Sequence, residues 1–367
     1  MGRLTFPGRL AVQQRVLPPY RAVFFDALAE VCTGGMGVFA GNARADEMIA
    51  AGETLVADHT LADNLHLLSG PVYLCHQPGL TTWLADEDPD VLILEANPRY
   101  LAIPSALRWM RRRGRPVIGW GLGAAAISRP LAGLRRSIRG SFLSQFDALI
   151  AYSNRGAAEY AALGFPAEKV FVAPNAAAPR PVHPLPERPA GFSGRPVVIF
   201  VGRLQARKRI DDLLHACAAL PAAVQPRLVI IGDGPERAAL EAIAQHVYPL
   251  AEFPGAVRGA GLEPYFLTAD LFVLPGTGGL AVQEAMSYGL PVVMGRGDGT
   301  NDDLVRPQNG WQLAAEGPGA LAEVLSEALA DSSHLRTMGA ESYRIVSEEV
   351  NIEMMVAAFV GVLNHVK

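Results

Sequence analysis

Little in this chain of 367 residues supports a covalent or metal-based framework. Its three cysteines, Cys32, Cys75 and Cys217, lie far apart and form no CxxC pair. That pattern argues against a disulfide scaffold and for a reduced, cytoplasmic setting. The eight histidines show no HxH or HxxxH spacing, so no metal site is expected. The N-terminus has no long apolar segment, and no uncharged apolar run reaches ~18 residues, so neither a secretion signal nor a membrane span is expected. A net charge of −4 gives no reason to expect nucleic-acid binding. A nucleophilic constellation is not evident either: there is no GxSxG.

What remains is a globular composition, 50% hydrophobic and 19% charged, with enough chain for about two domains. Short apolar runs alternate with helical patterns. Leu10–Val16, Gly37–Ala40, Val72–Cys75, Val91–Leu94, Pro116–Trp120, Ala148–Tyr152 and Val170–Ala173 read as strands. Arg21–Val31, with Val23, Phe24, Ala27 and Leu28 on one face, and Ile103–Arg113 read as helices, and Pro18-Pro19-Tyr20-Arg21 as a tight loop. Seven prolines fall between Pro174 and Pro196, the signature of an interdomain linker. The alternation then restarts with strands at Val197–Val201, Arg227–Ile231, Leu271–Leu274 and Pro291–Met294, and helices at Asp211–Leu220 and Glu236–His246. This is the pattern of an α/β protein with parallel sheets covered on both faces. We expect domains at residues 1–180 and 190–345, an apolar last helix, 351–367, packed back on the first, and a ligand cleft between the two halves.

The most informative stretch is Pro275–Val293. A buried strand is followed by the turn Gly276-Thr277-Gly278-Gly279, then a helical segment holding Glu284, then Gly289 and another strand. Backbone N–H groups at such a helix start suit an anion, and glycines let a ligand approach the backbone. Glu284, about one and a half turns in, suits a polyol beside that anion. In the same half, the strand Val198–Val201 ends at Gly202, and Arg203 and Lys208 follow. Arginine offers a bidentate fork for phosphate and lysine a point charge. A solvated basic loop, with Arg207 and Arg209, is the simpler reading of that segment taken alone.

From about Ala148 to Leu313 the sequence resembles the retaining nucleotide-sugar glycosyltransferases of family 4. The matching landmarks, in the family's order, are Asp147–Ser153, Gly164-Phe165-Pro166 with Lys169-Val170, and Val172-Ala173-Pro174-Asn175. Then come Gly202-Arg203-Leu204 with Lys208, Ile231–Pro235, Ala269–Pro275, Glu284-Ala285-Met286 with Gly289–Val293, and Asn309-Gly310. Residues 1–147 share only the general layout. The resemblance implies the GT-B fold, two Rossmann-like doubly wound domains facing a central cleft. It implies a nucleotide-sugar donor (UDP- or GDP-sugar), a glycan or lipid-linked hydroxyl acceptor, and no metal. Arg203 and Lys208 would bind the diphosphate and stabilise the leaving group. Glu284 would meet the ribose, Gly278, Gly279 and Leu280 the pyrophosphate and sugar, and Val257 the base.

Two departures stand out. The family has two glutamates separated by seven intervening residues; Glu284 fills the second position and Gly276 stands at the first. Either the sugar is held otherwise, by backbone and Thr277, or the protein is a catalytically impaired binding subunit. A nucleotide-sugar epimerase on the same fold is a third reading. The family's N-terminal glycine pair is replaced by Pro18-Pro19-Tyr20-Arg21. Arg21 is a candidate for the phosphate or acceptor side or an exposed first-turn residue, and His76 and Glu95, at strand ends, are further acceptor-side candidates. Gly121-Leu122-Gly123 mimics a dinucleotide fingerprint but lacks the acid at the next strand end. Asp86-Glu87-Asp88 reads as a solvated turn. Arg108–Arg139 holds nine arginines and no acidic residue, a solvated basic face or a contact with an anionic membrane.

Overall fold

The computed structural model describes residues 4–44, 47, 52–54, 56–123, 132–279, 281–295, 297 and 299–367. The chain forms two compact units, Met1–Ala177 with Ile352–Lys367, and Ala178–Asn351. Each is a parallel sheet flanked by helices, as expected for apolar runs bounded by amphipathic segments.

In the first unit, strands β1 (Leu10–Val16), β2 (Met36–Gly41) and β3 (Asp58–Ala62) precede a small antiparallel hairpin, β4 (Leu65–Leu67) and β5 (Leu74–His76). Then come β6 (Val91–Glu95), β7 (Val117–Gly121), β8 (Ala148–Ala151) and β9 (Val170–Val172). The main sheet runs β3-β2-β1-β6-β7-β8-β9. Alternate residues supply two cores. Leu10, Val12, Ile93, Ile118 and Trp120 face the helices Pro19–Ala29 and Ile352–Val366. Ala11, Leu92, Leu94 and Leu149 face the helices Leu80–Glu87 and Ile103–Arg111. The last helix belongs to this unit because Phe359 sets its ring edge-on to Trp120, 5.0 Å away, and to Phe24, 4.9 Å away.

Three sequence expectations change here. The stretch 18–21 is not a loop: Pro19 opens the helix, where its fixed φ and missing N–H fit the first turn. Val23 is 52% exposed, and the buried face is Arg21, Ala22, Phe24, Phe25 and Leu28. Val72–Cys75 is not a buried parallel strand. Gly70–Val72 is a single 3-10 turn with Val72 62% exposed, and only the following residues enter the hairpin.

In the second unit, β10 (Val197–Val201), β11 (Arg227–Ile231), β12 (Ala251–Gly255), β13 (Leu271–Leu274), β14 (Val292–Met294) and β15 (Gly310–Gln312) pair in the order β12-β11-β10-β13-β14-β15. The proline-rich stretch ahead of β10 has neither helix nor strand among residues 178–196 and is tied down by side chains. His183 stacks on Tyr288 at 4.7 Å, and its carbonyl accepts from the Tyr343 hydroxyl at 2.6 Å. Both sheets reverse their direction of growth beside their first strand, between β1 and β6 and between β10 and β13. In doubly wound sheets the carboxyl ends at such a reversal are where ligands bind. No helix of the described residues is long and apolar enough to cross a membrane.

Candidate functional site

The reversal in the second unit brings two loops together: Gly202–Lys208 after β10 and Pro275–Gly279 after β13. Their contact is backbone to backbone. The Thr277 amide donates to the Arg207 carbonyl at 3.1 Å. A Cβ on Gly276 would lie 2.0 Å from that same carbonyl oxygen and 2.6 Å from Lys208 Cα. No side chain fits there. The position where the resemblance places a glutamate is thus filled by main chain, and glycine is required by the packing. Gly278 has a φ of +66°, a left-handed conformation that strains other residues. Gly278 and Gly279 are exposed, and the helix Ala281–Ser287 begins just beyond them.

Lys208 is 5% exposed. Its ammonium donates to the Thr277 carbonyl at 2.8 Å and to the Gly278 carbonyl. Burial and then the neighbouring Arg207 charge lower its pKa to about 8. Two of its three donors hold the glycine turn, and a further N–H remains for an incoming anion. Arg207, which the sequence reading treated as part of a basic loop, also donates to the Thr277 carbonyl, at 3.2 Å. It is the residue that reasoning from spacing missed, because its contact is with main chain. Arg203 is exposed at the start of the same loop. Glu284 is half-buried on the helix, and burial raises its carboxyl pKa. Val257 is half-buried beyond the carboxyl end of β12, the strand two places from β10. Gly202, Arg203, Lys208, Val257, Gly278, Gly279 and Glu284 therefore all lie at or beyond the carboxyl ends of this one sheet; Leu280 lies outside the described residues.

In the first unit the three candidates part company. Arg21 is 3% exposed rather than presented to solvent. Its guanidinium donates to Asn175 Oδ1 at 2.7 Å and sits 5.0 Å from the Trp120 ring and 5.4 Å from Tyr152. It ties the helix Pro19–Ala29 to the segment where the chain leaves this unit. Glu95 ends β6 at the reversal beside β1, and its carboxylate accepts the Arg15 amide at 2.8 Å. Burial pushes its pKa up to about 7 against the opposing pull of Arg15, Tyr100 and Arg21. His76 pairs with Leu65 in the hairpin, and its Nδ1 is buried without a hydrogen-bond partner among the described residues.

The acidic triplet is not a free turn: Asp86 and Glu87 end the helix Leu80–Glu87, Asp88 caps it, and two of the three form ion pairs. Glu87 meets Arg9, and Asp88 meets Arg115 at 2.6 Å. Among the described residues no group of three or more His, Cys, Asp or Glu side chains is placed to hold a metal. The basic stretch spreads over the helices Ile103–Arg111 and Ala132–Leu143 and the turn that holds Arg112, Arg113 and Arg115, with Arg129 outside the described residues.

Comparison with known proteins extends the resemblance over both units. The family model "Glycosyl transferases group 1" matches residues 195–331, and "Glycosyl transferase 4-like domain" matches residues 49–176, well inside the part where only the layout was legible. A GDP-mannose-dependent alpha-mannosyltransferase of Mycolicibacterium smegmatis is 38% identical over 142 residues, 36% of each chain. A sulfoquinovosyl transferase of Arabidopsis thaliana is 35% identical over 140 residues, 37% of this chain and 26% of that one. The match thus spans about a third of these relatives' length. Among solved structures, Anabaena HepE in complex with UDP superposes with a TM-score of 0.69 at 17% identity, covering 97% of this chain and 99% of that one. Sucrose-phosphate synthase from Thermosynechococcus elongatus gives 0.68 at 19% identity, covering 97% and 98%. The fold is GT-B.

The packing at Gly276 makes a direct prediction. Gly276→Glu, which restores the missing carboxylate, forces the Arg207–Lys208 backbone to move. It lowers the unfolding free energy of the second unit by on the order of 3 kcal/mol or more, the upper end of overpacking costs. Urea denaturation followed by circular dichroism measures it. An unchanged midpoint would show that the turn has room for a side chain.

Proposed function

We propose that this chain, which belongs to the group 1, family 4-like glycosyltransferases, moves a sugar from a GDP- or UDP-sugar to a hydroxyl acceptor with retention of configuration and without a metal. The observation that carries this reading is the glycine turn at the switch point, held by Lys208 and opened to solvent at Gly278 and Gly279. A diphosphate seated there meets exposed backbone, a helix start and two cations. Arg203 and Lys208 stabilise the charge that develops on the leaving diphosphate. Glu284 accepts hydrogen bonds from the ribose, and Val257 flanks the base. Backbone and Thr277 replace the glutamate in holding the sugar. On the acceptor side, Glu95 and His76 line the strand ends of the first unit, and Arg21 acts from beneath as a positioning residue.

Incubation with a panel of nucleotide-sugars in EDTA, following nucleotide release, tests the reading. Release is expected with at least one donor, reduced by about 100-fold or more in Lys208→Ala, the scale of losing a leaving-group donor. The product's anomeric configuration, read by NMR, should match the donor's. Tight GDP or UDP binding with no release from any donor would instead favour a binding subunit, and epimerised donor without acceptor would favour an epimerase.

Lys208 must carry its proton to meet a diphosphate, and burial holds that proton only to about pH 8. Affinity for GDP or UDP therefore falls above that pH, by about tenfold per unit in the limit where only the charged form binds. Titration calorimetry across pH 7–10 should show the fall in the wild type and its loss in Lys208→Arg. A flat wild-type profile would refute the coupling.

The acceptor half also suits an anionic membrane surface. On the helix Ala132–Leu143, Leu134 and Ile138 are each 58% exposed, one turn apart, beside exposed Arg135 and Arg136. Apolar residues flanked by arginine are the pattern of a helix lying in the lipid interface. Co-sedimentation with anionic liposomes at low salt is expected, and should weaken severalfold in Leu134→Ser/Ile138→Ser; no sedimentation by the wild type would rule it out.

A further inference from the structure

The second unit has another basic feature, at the opposite ends of the same strands. Arg195 precedes β10, Arg227 opens β11, and Asp270 precedes β13. With Arg188 of the proline-rich segment and Arg336 of the helix Ser332–Glu348, they line a cavity of about 370 Å³. That is large enough for a small molecule. It lies the length of a five-residue strand, roughly 16 Å, from the glycine turn.

The charges there do not cancel: four arginines, Arg188, Arg195, Arg227 and Arg336, face two carboxylates of the lining, Asp270 and the exposed Glu187. Asp270 is fully engaged: one oxygen accepts the Val197 amide at 2.8 Å, and the other meets Arg336 at 2.6 Å. Arg227 is paired with Glu252 on the exposed side. Arg195 is exposed and makes no ion pair among the described residues. Arg188 spends both terminal nitrogens on main-chain carbonyls, those of Leu267 and Ala269 and those of Phe266 at 2.7 Å and Tyr288 at 3.0 Å. Among the described residues no carboxylate contacts it, and burial followed by the like charge of Arg336, against the pull of Asp270, lowers its pKa to about 10.

Two donors are left over. Arg188 Nε and Arg336 Nη1 are both buried and have no hydrogen-bond partner among the described residues. Leaving a charged donor unpaired in a buried position is costly. Two such N–H groups on neighbouring guanidinium groups, with Arg195 at the rim, form a set of donors without an acceptor. Planar guanidinium forks are matched to tetrahedral phosphoryl oxygens.

We infer that this cavity is a second anion site, separate from the glycine turn, which takes a phosphoryl group through Arg188, Arg336 and Arg195. The site is independent of the donor reading. It has a structural route to it all the same. Arg188 caps the carbonyl end of the helix Glu263–Thr268, and through the Tyr288 carbonyl it holds the end of the segment that carries Glu284. A bound phosphoryl group neutralises Arg188 and Arg336 where they repel one another, and so fastens the proline-rich segment to the unit.

The test uses inorganic pyrophosphate and the full chain carrying Lys208→Ala, which removes the competing cation of the glycine turn. Calorimetry should find one pyrophosphate bound per chain. Adding Arg195→Glu, an exposed change that leaves folding intact, should weaken binding at least tenfold, and Arg188→Lys should do so as well. Vesicles containing phosphatidic acid distinguish the source of the phosphoryl group. Loss of vesicle binding in Arg195→Glu would assign a lipid headgroup, and vesicle binding unaffected by it, with pyrophosphate binding lost, would assign a soluble phosphate compound. If pyrophosphate fails to bind Lys208→Ala, or binds equally well to Arg195→Glu and Arg188→Lys, the site does not exist. Failure of the nucleotide-sugar panel would leave this result untouched, so the two readings fail separately.

Discussion

The second unit depends on a contact between two pieces of main chain. The loop after β10 and the loop after β13 meet so closely at Gly276 that the Arg207 carbonyl occupies the place of a side chain. The contact arranges the turn and the cation beside it. It sets the Thr277 amide on the Arg207 carbonyl, and it buries Lys208 against the turn so that its ammonium caps two carbonyls. The lysine is thereby both a strut and a charge. Its lowered pKa follows from the same geometry, because burial disfavours the charged ammonium and the neighbouring Arg207 cation adds to that. The missing glutamate is then less a deletion than an exchange, in which tight backbone packing replaces a carboxylate.

The two units share one topology and use it differently. Each sheet turns back beside its first strand, and each places its polar side chains at that reversal. In the second unit the reversal exposes glycine backbone and cations. In the first it holds Glu95 and, packed beneath, an arginine enclosed by aromatic rings. Among the described residues Arg21 has no carboxylate in contact, and its charge is accommodated by π faces and the Asn175 amide oxygen. A buried arginine of that kind fixes its neighbours. It joins the first helix to the point where the chain leaves the unit, and it touches Met355 of the helix by which the chain ends there.

Much of this was legible in the sequence because strands buried on both faces are written as unbroken apolar runs. Val91–Leu94, Val198–Val201 and Leu271–Leu274 are such runs, and they form the centres of the sheets. The edges were less readable. β3 alternates Asp58, His59, Thr60 and Leu61 with little apolar content, and it is correspondingly exposed. Val72–Cys75 has the composition of a strand, but Val72 lies in an exposed 3-10 turn and only Leu74 and Cys75 join a short hairpin, where local pairing decides. The proline pair at 18–19 was misread for a different reason. Proline ends a helix from within but starts one at its first position, and only tertiary packing of Phe24 and Phe25 tells which applies. In the site, residue types and spacing pointed to Lys208, Glu284 and the glycines. Arg207 was hidden because its role lies in its carbonyl, which every residue has.

The distribution of arginine explains a further economy of the fold. Arg188 comes from the proline-rich segment, which can form no ladder of its own because proline lacks the N–H. Its guanidinium supplies the missing donors, capping the carbonyls at the ends of two helical segments where the dipoles are negative. One side chain thus replaces secondary structure in holding an irregular segment to a regular one. The arrangement also concentrates positive charge, since Arg336 is drawn to the same corner by Asp270. A segment held this way is only as firm as the balance between those two like charges. An anion that changes the balance acts on the segment and, through the Tyr288 carbonyl, on the helix of Glu284.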